Sequence, residues 1–284
     1  MRHPFVLAAL GTLLAVQPAL AACPESDTIR QYVEDWQAKR PAKALPVTSL
    51  EDATCARDKV VQALGASMGK VVGYKAGLTA KAVQERFNAS APVSGVLLEK
   101  MILNDGAKVP VGYGARGVWE ADMLLVVKDE GINQAKTPEE AIRHISAMRP
   151  FIELPDLALA PSEKLDGTQL AAINVGARLG VAGAEVPLQA TPETIRLLAE
   201  TKIVATDATG AVLAENTGAA TLGNPLNAVV WLVEDLAKAG RKLSAGDLIS
   251  VGSFTPLTPP KAGQAISVRY EGFPGTPKVS LTFE

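Results

Sequence analysis

Histidine is almost missing from this chain: of two, His3 sits in an apolar leader and His144 stands alone far from it. A zinc site built on imidazoles and a Ser-His-Asp triad are therefore set aside. Cysteine is as scarce, and Cys23 and Cys55 lie too far apart in sequence to make a metal-ligand cluster. Neither sign of charge dominates, with 28 Lys and Arg against 30 Asp and Glu for a net charge of -2. Without a basic stripe, nucleic acid is not an expected partner, and small molecules are. No internal repeat or low-complexity tail is present, and the one long apolar run, Phe5 to Val16, is too short to stay in a bilayer as a permanent span.

What the chain does have is length and apolar content, 284 residues at 48% hydrophobic, enough to bury a large core in one or two domains. Arg2 and His3, the Phe5 to Val16 run and the small residues Ala19-Leu20-Ala21 read as an export signal over residues 1–22. The mature protein is then expected in the periplasm. There Cys23 and Cys55 can form a disulfide that pins the new N-terminus. Leu20-Ala21-Ala22-Cys23 also resembles a bacterial lipobox, which would make Cys23 a lipid anchor. The two readings exclude each other, and the disulfide is favoured because a lipidated Cys23 leaves Cys55 as a lone thiol.

Glu25 to Ala38 and Ser49 to Ala66 read as helices, the second opened by a Ser49-Leu50-Glu51-Asp52 capping box. Together they make a small N-terminal helical part over residues 23–70. From Lys70 the texture changes to short apolar runs broken by Gly and Pro, a strand-rich body over residues 71–284. Two helices are expected to interrupt it. One runs from Thr137 as N-cap, through Pro138 and Glu140, to Met148, with His144 on its surface; the other spans Pro225 to Ala239 and stops at Gly240. Strands are expected at Ile203 to Thr206 and Val212 to Asn216 as a hairpin, then at Leu248 to Val251, Ala265 to Tyr270 and Lys278 to Phe283.

The chemistry concentrates in Trp119-Glu120-Ala121-Asp122-Met123-Leu124-Leu125-Val126-Val127. Strand alternation puts Glu120 and Asp122 on one face and Trp119, Ala121 and Met123 on the other. Two like charges side by side are costly unless something positive lies between them, and a hard divalent cation is the simplest candidate. Glu153, in the strand-like Pro150-Phe151-Ile152-Glu153-Leu154, supplies a third acid, and a three-carboxylate site is the leading hypothesis. Lys75 is the lone cation of Val71-Val72-Gly73-Tyr74-Lys75-Ala76-Gly77-Leu78-Thr79. It either snorkels outward or sits desolvated with a lowered pKa suited to proton transfer. Gly112 to Gly117 formally matches G-x-G-x-x-G, but it leads into a strand, where a dinucleotide site needs those glycines to open a helix. It reads as a loop that delivers the chain to Glu120.

Taken in order, these segments resemble the fumarylacetoacetate hydrolase superfamily and, within it, the branch of 2-keto-4-pentenoate hydratases and related decarboxylases. Gly73 to Thr79 is similar to that branch's G-[YW]-K-x-G-L-T, Trp119 to Asp122 to its V-E-A-E with Asp for the second Glu, and Phe151 to Leu154 to its A-I-E-I. Gly223 to Leu232, Ala245-Gly246-Asp247 and Gly252-Ser253 follow in the same order. The resemblance implies an α+β fold, a mixed β-roll of the C-terminal type of that superfamily with a small N-terminal helical part. It implies Mg2+ or Mn2+ held by Glu120, Asp122 and Glu153, Lys75 as proton shuttle or carboxylate-positioning cation, and Asn174 and Ser253 at the substrate. The ion would act as a Lewis acid on the carboxylate and 2-oxo group of a small 2-oxo acid and stabilise its enolate. A homo-oligomer is expected. Two segments depart from the branch: Ala91-Pro92-Val93-Ser94-Gly95 puts Val93 where its Q-P-D-[FY]-G has an acid, and Asn174-Val175-Gly176-Ala177 lacks the hydroxyls of its N-A-S-S.

The activity so implied is a metal-dependent lyase adding water to a 2-hydroxydienoic acid. Decarboxylation or C–C cleavage of a 2-oxo acid uses the same ion and is the alternative on the same fold. A noncatalytic periplasmic binder of 2-oxo acid or metal is the alternative from another class.

Overall fold

The two helices expected after the leader form where their apolar spacing and caps place them. The computed structural model describes residues 23–284, and the leader assigned to residues 1–22 lies outside the described residues. Helix α1 (Ser26–Gln37) buries Ile29, Tyr32, Val33 and Trp36, a single stripe at helical spacing. Helix α2 (Leu50–Met68) opens on the Ser49/Asp52 capping box, each side chain accepting from the other's backbone N–H. Cys23 is disulfide-bonded to Cys55 on α2 across a Cα–Cα distance of 5.5 Å. A sulfur used in this way has no place for a lipid.

Beyond the helices the chain runs through β1 (Val71–Gly77), α3 (Lys81–Arg86), β2 (Val93–Leu98), β3 (Ile102–Asn104), β4 (Ala107–Val109) and β5 (Glu120–Val127). It continues through α4 (Pro138–Ala141), β6 (Ile145–Leu154), α5 (Gly167–Ala172), β7 (Leu179–Ala182), β8 (Val186–Pro187) and α6 (Pro192–Glu200). The last third holds the hairpin β9 (Lys202–Asp207) and β10 (Val212–Thr217), then α7 (Pro225–Lys238), β11 (Leu248–Ser250), β12 (Ala265–Glu271) and β13 (Lys278–Phe283). Eight strands form one mixed sheet in the order β2-β1-β11-β5-β6-β7-β3, with β8 on β6. Five form a second sheet, β10-β9-β12-β13-β4. Among the described residues no helix is long and apolar enough to cross a membrane.

Alternation along β5 and β6 divides the interior. Trp119, Ala121, Met123, Leu125, Met148 and Ile152 face a large core shared with α7 and the second sheet. Leu124 and Phe151, on the opposite face, pack with Leu97 and Ala182. A second core joins α1 and α2 to β2, α5 and the Ala158-Leu159 turn, so the N-terminal helices share their interior with later segments.

The helix expected to run from Thr137 to Met148 is the main correction. Thr137 does cap it, accepting from the Glu140 N–H, but the α-helix ends at Ala141. A 3-10 turn covers Ile142–His144 and the strand begins at Ile145. Ile145, Ala147 and Met148 pair with Val127, Val126 and Leu125 of β5, and the ladder outweighs the local helical signal. His144 is therefore not on a helix face; its Nδ1 lies 2.7 Å from Asp129 Oδ1. The Gly112 to Gly117 segment is the loop expected, pinned by Asp156, whose carboxylate accepts from the backbone N–H groups of Ala115 and Arg116.

Candidate active site

Register assembles the site on four neighbouring strands. Lys75 of β1 lies beside Ser250 of β11, Ser250 beside Leu124 of β5, and Glu120 of β5 directly opposite Glu153 of β6. Like charges directly opposite on paired strands repel, so this pairing needs a compensating positive group. Lys75 supplies part of it. Only 3% exposed, it turns inward and not out to solvent, its Nζ donating to Glu153 Oε1 and, at 3.1 Å, to the Val175 carbonyl.

Two backbone features make room for that lysine. Gly95 faces it across the β1–β2 ladder, and a Cβ there would come within 2.9 Å of Lys75 Cγ. Asn174, Val175 and Gly176 all have left-handed backbone, with φ of 58°, 53° and 66°. This is strained for a β-branched residue such as Val175, and it aims the Val175 carbonyl at the lysine. Asn174 braces the turn. Its amide accepts from the Val96 N–H at 2.7 Å and donates to the Val96 carbonyl at 2.9 Å, satisfying the outer edge of β2. Asn174, expected at the substrate, thus spends its side chain on the sheet edge, and its neighbour Val175 lines the cavity instead.

Asp122 is fully buried and held from three sides. Its carboxylate accepts from the Ser250 hydroxyl, from its neighbour Met123 N–H, and from Gly252 N–H at 3.1 Å. Gly252 has φ of 103°, and a Cβ there would strike Thr79, so only glycine presents that N–H so closely. Burial first, and then the charge of Glu153, push the Asp122 carboxyl up to about 7. The same two causes hold Glu120 well above the usual carboxylate range, against the opposing charge of Lys75. Ser253, also expected at the substrate, lines the cavity, and its hydroxyl donates to the Thr255 carbonyl.

A cavity of about 390 Å3 opens over these groups, with Lys75, Glu120 and Glu153 at its buried end. Three buried carboxylates against one ammonium leave, once all three are ionised, negative charge that Lys75 alone does not match, and all three are hard oxygen donors. In charge and donor type the residues fit a divalent cation. In geometry the carboxylates are committed elsewhere: Glu153 to Lys75, Asp122 to Ser250 and Gly252. Among the described residues no three His, Cys, Asp or Glu side chains are gathered closely enough to hold an ion. Loading a cation would require Glu153 to share or leave its lysine.

Three participants were not anticipated. Ser250 holds Asp122; Thr255 lines the cavity and accepts from Ala121 N–H at 2.9 Å; Tyr270, from the second sheet, accepts from Phe151 N–H at 3.1 Å and donates to the Asp122 carbonyl. Ser250 lies in a strand that was legible, but its face depends on β11 inserting between β1 and β5. Thr255 and Tyr270 carry no motif.

No family model matches the chain. A 2-keto-4-pentenoate hydratase of Burkholderia vietnamiensis is 30% identical over 213 residues, 75% of this chain and 79% of that protein. Among solved structures, 4-oxalocrotonate decarboxylase from Pseudomonas putida G7, complexed with magnesium and adipate, superposes with a TM-score of 0.82 at 24% identity, covering 91% of this chain and 97% of its own. Fumarylpyruvate hydrolase from Pseudomonas aeruginosa, in complex with Mn2+ and pyruvate, gives a TM-score of 0.55 at 13% identity over 76% of this chain and 90% of its own. The two-sheet α+β fold is the one these structures share. On the identity and coverage of the Burkholderia relative, this chain belongs to the 2-keto-4-pentenoate hydratase branch of the fumarylacetoacetate hydrolase superfamily.

Proposed function

We propose that the protein is a divalent-metal-dependent lyase that hydrates a small 2-hydroxydienoic acid by way of its 2-oxo tautomer. The carrying observation is the opposed pair Glu120 and Glu153, buried at the end of a cavity with Lys75 between strand and ligand space. The Burkholderia relative is a hydratase of this kind, and the two similar structures hold Mg2+ with adipate and Mn2+ with pyruvate, a 2-oxo acid. Mg2+ or Mn2+ would be held by Glu120, Glu153 and Asp122. Bound there, it supplies Lewis acidity toward the carboxylate and 2-oxo oxygens of the substrate.

The chain's own residues do the rest. On a five-carbon dienoate, ketonisation takes the proton of the 2-hydroxyl and places one on C5; hydration then adds hydroxyl at C4 and a proton at C3. Lys75 Nζ is buried, carries three protons and borders the cavity, so it can hold or pass a proton at the reacting carbons. Val175 O and Glu153 orient it. Ser253 and Thr255 offer hydroxyls along the same wall, and the apolar remainder of the lining keeps bulk water away.

Val93, where the branch has an acid, is buried in the second core and offers no proton, which favours decarboxylation or C–C cleavage on the same site as the second reading. One experiment separates them. Loss of the dienol absorbance of 2-hydroxypenta-2,4-dienoate is followed with and without Mn2+, with product analysis and calorimetry of oxalate as an enolate mimic. Metal-dependent formation of 4-hydroxy-2-oxopentanoate supports hydration. Metal-dependent oxalate binding without turnover of this substrate moves the assignment to another 2-oxo-acid reaction or to a binding protein.

Export to the periplasm is part of the same reading, supported by the leader-like residues 1–22 and by the Cys23–Cys55 disulfide. Mass spectrometry of the mature chain checks it: a start at or just before Cys23 and a mass reduced by the two lost thiol hydrogens are expected; a lipid mass on Cys23 refutes the disulfide, and an unprocessed N-terminus refutes export. The homo-oligomer belongs here as well, supported by Val212 and Leu213 exposed on the edge strand β10, and sedimentation tests it.

A further inference from the structure

The cavity is larger and more apolar than its polar end requires. A five-carbon dienoate has five carbons and three oxygens, whereas 390 Å3 corresponds to about thirteen water volumes at ~30 Å3 each. Charged groups on the lining are confined to Lys75, Glu120 and Glu153 at the buried end and to Arg86, an exposed residue at the other. Between them the wall is mostly aliphatic and aromatic, with Leu78, Phe87, Leu157, Leu170, Val175 and Leu257 outweighing the uncharged polar side chains that also line it.

Two of these residues are held there at a cost. Leu78 and Val175 both have left-handed backbone, with φ of 57° and 53°, a region that charges aliphatic residues roughly 1–3 kcal/mol each. Leu78 follows directly on β1, three residues past Lys75, and Val175 supplies the carbonyl that Lys75 bonds. The strain therefore falls where the polar end gives way to the apolar wall, on side chains that face the ligand space. Glycine or asparagine would fit either backbone more easily, but neither would present an apolar surface.

We propose that this wall selects 2-oxo or 2-hydroxydienoic acids whose chain beyond the reacting carbons is uncharged and apolar and longer than the five-carbon parent. The proposal rests on the reading that the carboxylate end of the substrate sits at Lys75, Glu120 and Glu153.

The test is calorimetric binding, in saturating Mg2+, of oxalate and of 2-oxobutanoate, 2-oxopentanoate, 2-oxohexanoate and 2-oxoheptanoate, with 2-oxoadipate as the charged-tail partner of 2-oxohexanoate. Affinity should rise about fourfold per methylene, the worth of a buried CH2 at ~0.8 kcal/mol. The 2-oxoadipate should bind at least tenfold more weakly than 2-oxohexanoate. Leu257→Ser, at a half-buried position, and Val175→Gly, which relieves the left-handed backbone, should each flatten the slope, lowering the 2-oxohexanoate to 2-oxobutanoate affinity ratio several-fold. Oxalate binding with a flat tail series, or tighter binding of 2-oxoadipate through Arg86, overturns the proposal and leaves the polar end as assigned. Failure of every ligand, oxalate included, overturns the assignment of the polar end and the proposal with it.

Discussion

Replacing Lys75 with Met tests the charge argument at its centre. The two side chains are similar in length, so the wall between β1 and β2 stays filled, but the only ammonium among three buried carboxylates is gone. Taking one partner from a buried ion pair costs about 3–5 kcal/mol, because the other is left uncompensated. For a domain of this size that is a fall in melting temperature of roughly 6–20 °C in metal-free buffer. Mg2+ should then act more strongly on the variant than on the parent. In the parent a cation competes with Lys75 for Glu153, whereas in the variant it does not, and a ligand at a hundred times its Kd adds about 2.7 kcal/mol. Differential scanning calorimetry with and without 10 mM Mg2+ reads both effects. Turnover should drop at least about a hundredfold if Lys75 moves the proton, while metal-dependent oxalate binding persists. A variant that melts within about two degrees of the parent, gains nothing extra from Mg2+ and keeps its activity would refute both the pairing and the role given to Lys75.

Three further outcomes follow from other contacts. An Asp held up at about 7 binds a proton on folding that the unfolded chain gives up near 4. The Asp122 contribution to metal-free stability should therefore fall as pH rises from about 4 to 7, by up to about 4 kcal/mol, and Glu120, held up by the same causes, adds a fall of the same sign; urea unfolding at pH 5 and pH 8 checks the sign, and Asp122→Asn should make the curve shallower. Cys55→Ser opens a loop of sequence separation 32, and unfolding should become easier by roughly 3–4 kcal/mol, read as a lower urea midpoint with a slope that rises as the unfolded chain loosens. Gly95→Ala sets a methyl 2.9 Å from both the Asn174 carbonyl and the Lys75 stem, so kcat should fall by an order of magnitude or more while the circular dichroism spectrum is unchanged.

What could be seen in advance follows the range of the forces involved. The Ser49 capping box, the α1 stripe, the β9–β10 hairpin and the face shared by Glu120 and Asp122 are decided within a few residues, and they formed as their spacing required. The Thr137 helix stops short at Ala141 because its cap is local while its continuation is not. Residues Ile145 to Met148 could extend a helix, but β5 offers them a ladder and two cores to fill. The same distinction runs through the site. Strand alternation puts two acids on one side, but only pairing sets Glu120 against Glu153, and only the third dimension turns Lys75 inward onto Glu153.

Asn174 and Ser250 show why a motif's residues need not do the motif's work. Asn174 stands at a position the resemblance ties to substrate, yet in this chain its amide closes the edge of β2 and fixes a strained turn. The turn it fixes presents the Val175 carbonyl that Lys75 bonds. Ser250 stands in no motif, yet it takes up one oxygen of Asp122, the shorter of the two strand acids. A side chain one methylene shorter than Glu reaches less far toward the cavity, and here it finds a hydroxyl and two backbone N–H groups within the protein instead. The three carboxylates are therefore unequal: Glu120 and Glu153 border the cavity, and Asp122 does not, its carboxyl pushed up to about 7 by burial and by the charge of Glu153. If a cation binds, Glu120 and Glu153 should dominate its affinity, and Glu153→Gln should weaken Mg2+ binding far more than Asp122→Asn does. Equal losses in calorimetric titration would instead place Asp122 on the ion as a full partner and require Ser250 to release it.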